Sequence, residues 1–123
     1  MSTVRVAAVA VLLVCTRADA RPVCDDGRYI LGDAPVQLGE VLARVIVISG
    51  TRVAIEDGCE AVPGRLWRTA NNTQVRARWR DCPGVRGVVR LRAAIALDCS
   101  AMGGTLRARR ERAGSAFKAE RAK

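Results

Sequence analysis

Between Cys82 and Cys99 apolar and charged residues alternate with a period of two. Val85, Val89, Leu91, Ala93, Ile95 and Leu97 hold one parity, while Arg86, Arg90, Arg92 and Asp98 hold the other. A strand with one buried and one wet face has this signature, whereas a helix would scatter the arginines around its circumference. The preceding segment repeats the pattern, with Val75, Ala77 and Trp79 alternating with Arg76, Arg78 and Arg80. Tyr29–Leu31, Ala43–Ile48, Arg52–Glu56, Gly64–Ala70 and Thr105–Arg109 read as further strands. Val45-Ile46-Val47-Ile48 is apolar at every position, as expected of a strand covered on both faces.

Turn chemistry separates these runs. Asn71-Asn72 predicts a hairpin between Gly64–Ala70 and Thr73–Asp81, with a turn that tolerates positive φ. Pro83-Gly84 with Gly87, Ser49-Gly50 and Asp57-Gly58 mark other reversals, and Gly103-Gly104 is expected to break the chain before Thr105. Ser115–Arg121 reads as a last strand pairing back across Ala113-Gly114, with Phe117 and Ala119 inward. A short helix capped by Ser115 and a frayed basic tail are its alternatives. Short strands at intervals of about ten residues predict an all-β fold, a small antiparallel meander forming a sandwich or barrel.

The N-terminus follows a different grammar. Arg5 precedes an unbroken apolar run from Val6 to Val14, and Ala18-Asp19-Ala20 offers small residues for cleavage before Arg21. Residues 1–20 therefore read as a secretory signal peptide, and 21–123 as a single domain that is secreted or periplasmic. The apolar run is too short to cross a membrane as a helix. Val14 occupies the place where a lipoprotein signal ahead of Cys15 would want a small residue.

Cleavage would leave four cysteines, Cys24, Cys59, Cys82 and Cys99, which in a short exported chain imply two disulfides. No pair has the short spacing of a zinc site, and the chain has no histidine. If Asn71-Asn72 is the turn, Cys82 returns to the neighbourhood of Ala61, close to Cys59. Cys99 would lie far along the following strand, beyond the roughly 7 Å between Cα atoms that a bridge to Cys82 allows. The expected pairs are Cys59–Cys82 and Cys24–Cys99.

The absence of histidine removes Ser-His-Asp and Cys-His catalysis and histidine-ligated metals. Asp25-Asp26 and the group Glu56, Asp57 and Glu60 read as turn residues beside cysteines rather than paired catalytic carboxylates. Asn71-Asn72-Thr73 fits the glycosylation acceptor pattern but sits where a turn is needed. No catalytic residue, metal site or cofactor is expected, and the chain does not read as an enzyme.

Charge adds one more feature. From Arg21 to Ala61 four cations face seven acids, a net of −3; from Val62 to Lys123 fifteen cations face four acids, a net of +11. With the strand parity above, Arg76, Arg78, Arg80, Arg86, Arg90 and Arg92 share one wet face, which Arg107 and Arg109 extend. Such a surface attracts polyanions, and outside a cell these are lipopolysaccharide, anionic polysaccharide, teichoic acid and released DNA. One Tyr, one Phe and two Trp supply few stacking platforms for single-stranded nucleic acid. The competing explanation is compositional. Nineteen arginines against two lysines, with abundant Ala, Val and Gly, suit a high-GC bacterial genome in which arginine is the default solvent-facing residue. Two other functions fit the same pattern: a small barrel carrying an apolar ligand inside, and a partner or inhibitor of another exported protein.

The motifs C-x2-GRYIL from Cys24, IEDGC to Cys59, VRARWRDCPGVRGVVRLRAAI and C-x2-MGGTLRARR from Cys99 together resemble a group of short exported bacterial proteins. These share four cysteines in this order and end in basic strands. The resemblance spans nearly all of residues 21–123 and implies an exported, disulfide-linked, all-β domain. It implies no activity and no site residue.

Overall fold

A computed structural model describes residues 23–108 and 114–123. The expected signal segment lies outside these residues, as does Arg109 at the end of an expected strand. Eleven strands are present among the described residues: β1 Asp26–Ile30, β2 Val36–Leu38, β3 Val41–Ala43, β4 Val45–Ser49, β5 Arg52–Ile55, β6 Cys59–Pro63, β7 Arg65–Arg68, β8 Asn72–Trp79, β9 Val89–Ala96, β10 Ala101–Ala108 and β11 Ser115–Arg121. Nine of them form one sheet in the order β6-β5-β4-β1-β11-β10-β9-β8-β7, and every pairing in it is antiparallel. The first and last strands of that order, β6 and β7, are consecutive in the chain. The sheet thus curls into a nearly closed barrel, an up-and-down meander whose ends meet where β1 pairs with β11.

One bent stave completes the ring. β6 pairs with β5 and β7 with β8, and the chain crosses between these neighbours at Pro63-Gly64. Pro63 has no amide hydrogen with which to extend the ladder. A Cβ on Gly64 would lie 2.7 Å from Val53 Cγ2 and 3.2 Å from the Arg76 carbonyl oxygen, so the crossing needs glycine. The Gly64 amide donates to the Thr51 carbonyl at 2.6 Å.

The disulfides pair as expected, Cys59–Cys82 and Cys24–Cys99. The register of β7 and β8 explains the first: Arg65 lies opposite Arg76, and six residues further along each chain Cys59 meets Cys82 with Cα atoms 4.8 Å apart. The Trp79 indole N–H also donates to the Glu60 carbonyl at 3.0 Å, holding β6 against the end of β8. Cys24–Cys99 ties the chain ahead of β1 to the β9–β10 turn at the other end of the barrel. Nearby, the Cys24 amide donates to Thr73 Oγ1 and the Tyr29 hydroxyl donates to the Cys99 carbonyl at 3.1 Å.

Alternation places Tyr29, Ile46, Ile48, Val53, Ile55, Val75, Trp79, Val89, Leu91, Ile95 and Leu106 inside, all essentially without exposure. Phe117 and Ala119 of β11 are buried too, so the last segment is a strand rather than a helix or tail. The β2–β3 hairpin buries Val36, Leu38, Val41 and Ala43 against the same core, and Glu40 N–H donates to the Gly84 carbonyl beside Cys82.

Several expectations are corrected. The turn between β7 and β8 is Thr69–Asn72, one residue earlier than Asn71-Asn72, and neither asparagine has positive φ. Thr69 shapes it instead: its hydroxyl donates to Asn72 Oδ1 at 2.9 Å and accepts from the Asn72 amide at 3.1 Å. Gly103-Gly104 does not break the chain but lies within β10, because a Cβ on Gly104 would run into the Arg92 carbonyl and Ala93 of β9. Ala43–Ile48 is split at Arg44, with the unexpected β2–β3 hairpin before the split. Val45 and Val47 point outward and are only partly buried, since they lie on the outer face of a single-walled barrel. The long alternation begins pairing only at Val89 and ends at Ala96, leaving Leu97 exposed.

Two outcomes follow. Replacing both cysteines of either bridge with serine should destabilise the barrel by about 2–4 kcal/mol in denaturant unfolding. Loss of Cys24–Cys99, which closes 75 residues against 23, should cost about 1 kcal/mol more than loss of Cys59–Cys82 by loop entropy. Equal or reversed losses would place the benefit in native packing. Burial raises the Tyr29 phenol above its ordinary value, more than Arg121 lowers it, so the fold favours the protonated form. Its contribution should be complete below about pH 10 and decline as pH rises through the folded value. The Tyr29→Phe barrel should therefore lose less stability than wild type between about pH 10 and 11.

Candidate functional site

Six outward positions of β7 to β10 are arginines brought together by cross-strand register. Arg65 faces Arg76, Arg76 faces Arg92, Arg78 faces Arg90, and Arg90 faces Arg107. Two rows result, Arg65–Arg76–Arg92 and Arg78–Arg90–Arg107, with Thr105 of β10 opposite Arg92. Neighbouring strands lie about 4.8 Å apart and successive outward residues about 6.7 Å, so six guanidinium stems rise from a small patch of sheet.

Above this patch runs an open groove of about 1280 Å³. Glu60 to Gly64 line it on the β6 side, Thr105, Arg107 and Gly114 on the β10 side, and β8 and β9 lie between them. Seven arginines line it (Arg65, Arg76, Arg78, Arg80, Arg90, Arg92 and Arg107) against two carboxylates, Glu60 and Asp81. An ion pair lies elsewhere, where Arg28 of β1 meets Glu56 at 2.7 Å.

Of the six arginines singled out from sequence, Arg76, Arg78, Arg80, Arg90 and Arg92 line the groove. Arg86 does not; it lies in the β8–β9 loop, because the ladder starts only at Val89. Arg80 lines the groove from just beyond the end of β8. Arg65 was missed, although the expected hairpin already gave it the parity of Arg76 and Arg78. Trp67 also points outward: the Arg65 and Arg76 guanidinium carbons lie 5.2 and 5.6 Å from its ring centroid. These cation–π contacts steady two of the arginines. Trp79, by contrast, is core, with 1% exposure.

The carboxylates considered from sequence do not converge. Asp25 and Asp26 are exposed at the start of β1, Glu56 is paired with Arg28, and Glu60 stands on the groove wall. Asp57 occupies a turn with φ of 59°. Asp98 accepts from the Ser100 hydroxyl and amide, which hold its carboxyl below the ordinary range and close the β9–β10 turn.

No protein-family model, curated protein or solved structure matches this chain.

Like charges directly opposite on neighbouring strands destabilise a sheet, by about 0.2–1 kcal/mol a pair if the cost mirrors that of favourable pairs. Arg78→Glu should convert the contact with Arg90 from repulsive to attractive and raise Tm at low salt by about 2–5 °C. Lys118→Glu, with the same charge change on β11, serves as control. A lower Tm for Arg78→Glu would show instead that the arginine stems contribute packing.

Proposed function

We propose that this chain is an exported, non-enzymatic β-barrel that binds anionic envelope or matrix polymers through its arginine groove. The observation that carries this reading is the register: four like-charge pairs lie side by side across β7–β10, and among the described residues only Glu60 and Asp81 bring carboxylates to the groove against seven arginines. A surface using arginine only for solubility has no reason to stack it opposite itself, and interspersing both signs would relieve the repulsion. A bound polyanion supplies the missing counter-charge. Arginine suits that task because its planar fork meets carboxylate, sulfate or phosphate with two parallel hydrogen bonds.

Two disulfides support an oxidising compartment and hence export. The apolar-carrier reading finds less support, because Trp79, Tyr29, Leu91, Ile95 and Leu106 fill the interior that a ligand would need. For a protein partner, Ile30 and Leu97 are the large apolar side chains exposed among the described residues, and neither lines the groove.

Binding of the oxidised protein to lipopolysaccharide, acidic polysaccharide and duplex DNA tests the proposal at about 50 and 200 mM salt. With four or five charges neutralised, affinity should fall by about a hundredfold over that range. The quadruple variant Arg78→Glu, Arg80→Glu, Arg90→Glu and Arg92→Glu should lose binding while keeping both disulfides and cooperative unfolding. Unchanged affinity in a folded quadruple variant would overturn the proposal, as would no binding by wild type at low salt.

A further inference from the structure

The shape of the groove narrows the ligand further than its charge does. From the β6–β7 stave to β10 there are three inter-strand steps, about 14 Å between backbones, and the arginine side chains take part of that width. A B-form duplex, whose major groove alone is about 12 Å wide, does not fit inside such a channel and could only rest across its rims. Along its length the groove follows Arg76 to Asp81, about 20 Å of extended chain, enough for a short segment of one linear polymer. Arg76, Arg78 and Arg80 then meet it every second residue from one side, and Arg92 and Arg90 from the other.

The lining also lacks what a nucleic acid strand would use. Its one aromatic residue is Trp79, whose ring is buried, and the outward Trp67 beside the groove already carries the Arg65 and Arg76 guanidinium groups over its ring, so a base finds little stacking surface. An acidic peptide meets a different obstacle. β9 and β10 are paired on both sides, and although β6 and β8 form no ladder, Gly64 closely approaches the Arg76 carbonyl and the Cys59 and Cys82 Cα atoms are 4.8 Å apart, too close for a peptide strand to insert between them. Fixing each peptide residue would cost about 1–2 kcal/mol of backbone entropy with only its side-chain charge in return. A chain of rigid rings, each presenting its anion laterally, loses less freedom on binding.

Building on the polyanion reading above, we propose that the groove takes a single chain of acidic polysaccharide, lying along β8 with its carboxylates or sulfates between the Arg76–Arg78–Arg80 and Arg92–Arg90 edges.

The full oxidised chain is titrated calorimetrically at about 100 mM salt with a galacturonate octasaccharide and a sulfated octasaccharide, which separate the two anion chemistries. Octaglutamate, an eight-nucleotide single strand and a 16-base-pair duplex are the competitors. The expected result is one-to-one binding of at least one octasaccharide, ten times or more tighter than any competitor. Arg78→Glu with Arg90→Glu should weaken it at least tenfold, and Lys118→Glu should leave it unchanged. If the duplex, the single strand or octaglutamate binds as tightly and responds to the same variants, the polysaccharide assignment falls while polyanion binding stands. If nothing binds, both fall.

Discussion

Everything in this barrel depends on one stave serving two neighbours. The chain from Cys59 to Arg68 pairs first with β5 and then with β8, and without that switch the meander would remain an open sheet with two bare edges. The switch is local in cause. Proline ends one ladder, glycine permits the close approach to Val53 and Arg76, and the Cys59–Cys82 bridge with the Trp79–Glu60 hydrogen bond holds the ends together where no ladder is formed. The groove is a consequence of the same geometry. Where β6 leaves the line of β7 it borders the groove, and the outward arginines of β8 and β9 line it with charge.

Period-two patterning reached the faces of the strands with little loss, because a buried face is enforced at every second residue. It did less well on register. Reading Asn71-Asn72 as the turn displaced the hairpin by one residue at its tip and by two in its partners, so Cys82 was expected nearer Ala61 than Cys59. An even displacement leaves every side chain on its own face, which is why the arginine face and the disulfide pairing survived the error. The Thr69 hydroxyl decided the true position, and such a side-chain-to-backbone bond has no periodic signal to announce it.

Other features were hidden because they answer to neighbours distant in sequence. Gly103-Gly104 looks like punctuation, yet Gly104 is demanded by the close approach of β9. Val45 and Val47 look fully buried because apolar residues are read as covered, whereas on the outer face of the barrel they are only partly so. Arg86 shares the parity of Arg90 and Arg92 but lies outside the ladder, where parity has no meaning. Arg65 belongs to the groove for the opposite reason: β7 was recognisable, but its place beside Arg76 matters only once the rows are assembled.

Arginine abundance says little by itself, since a genome biased toward arginine codons would supply it everywhere. Composition, however, sets how many arginines a surface carries and not which residue each one faces. On the β1–β5 flank the same chain places Glu56 on Arg28, with two contacts below 3 Å to the Arg28 Nη2 nitrogen, so carboxylate partners are within its means. Across β7–β10 it places arginine opposite arginine four times in succession. Repulsion of that kind is screened by salt but not abolished at strand spacing, which lies well inside the Debye length of about 8 Å at physiological ionic strength. A barrel that tolerates it holds a standing electrostatic strain, which any chain of anions entering the groove would relieve, and that relief would add to its affinity.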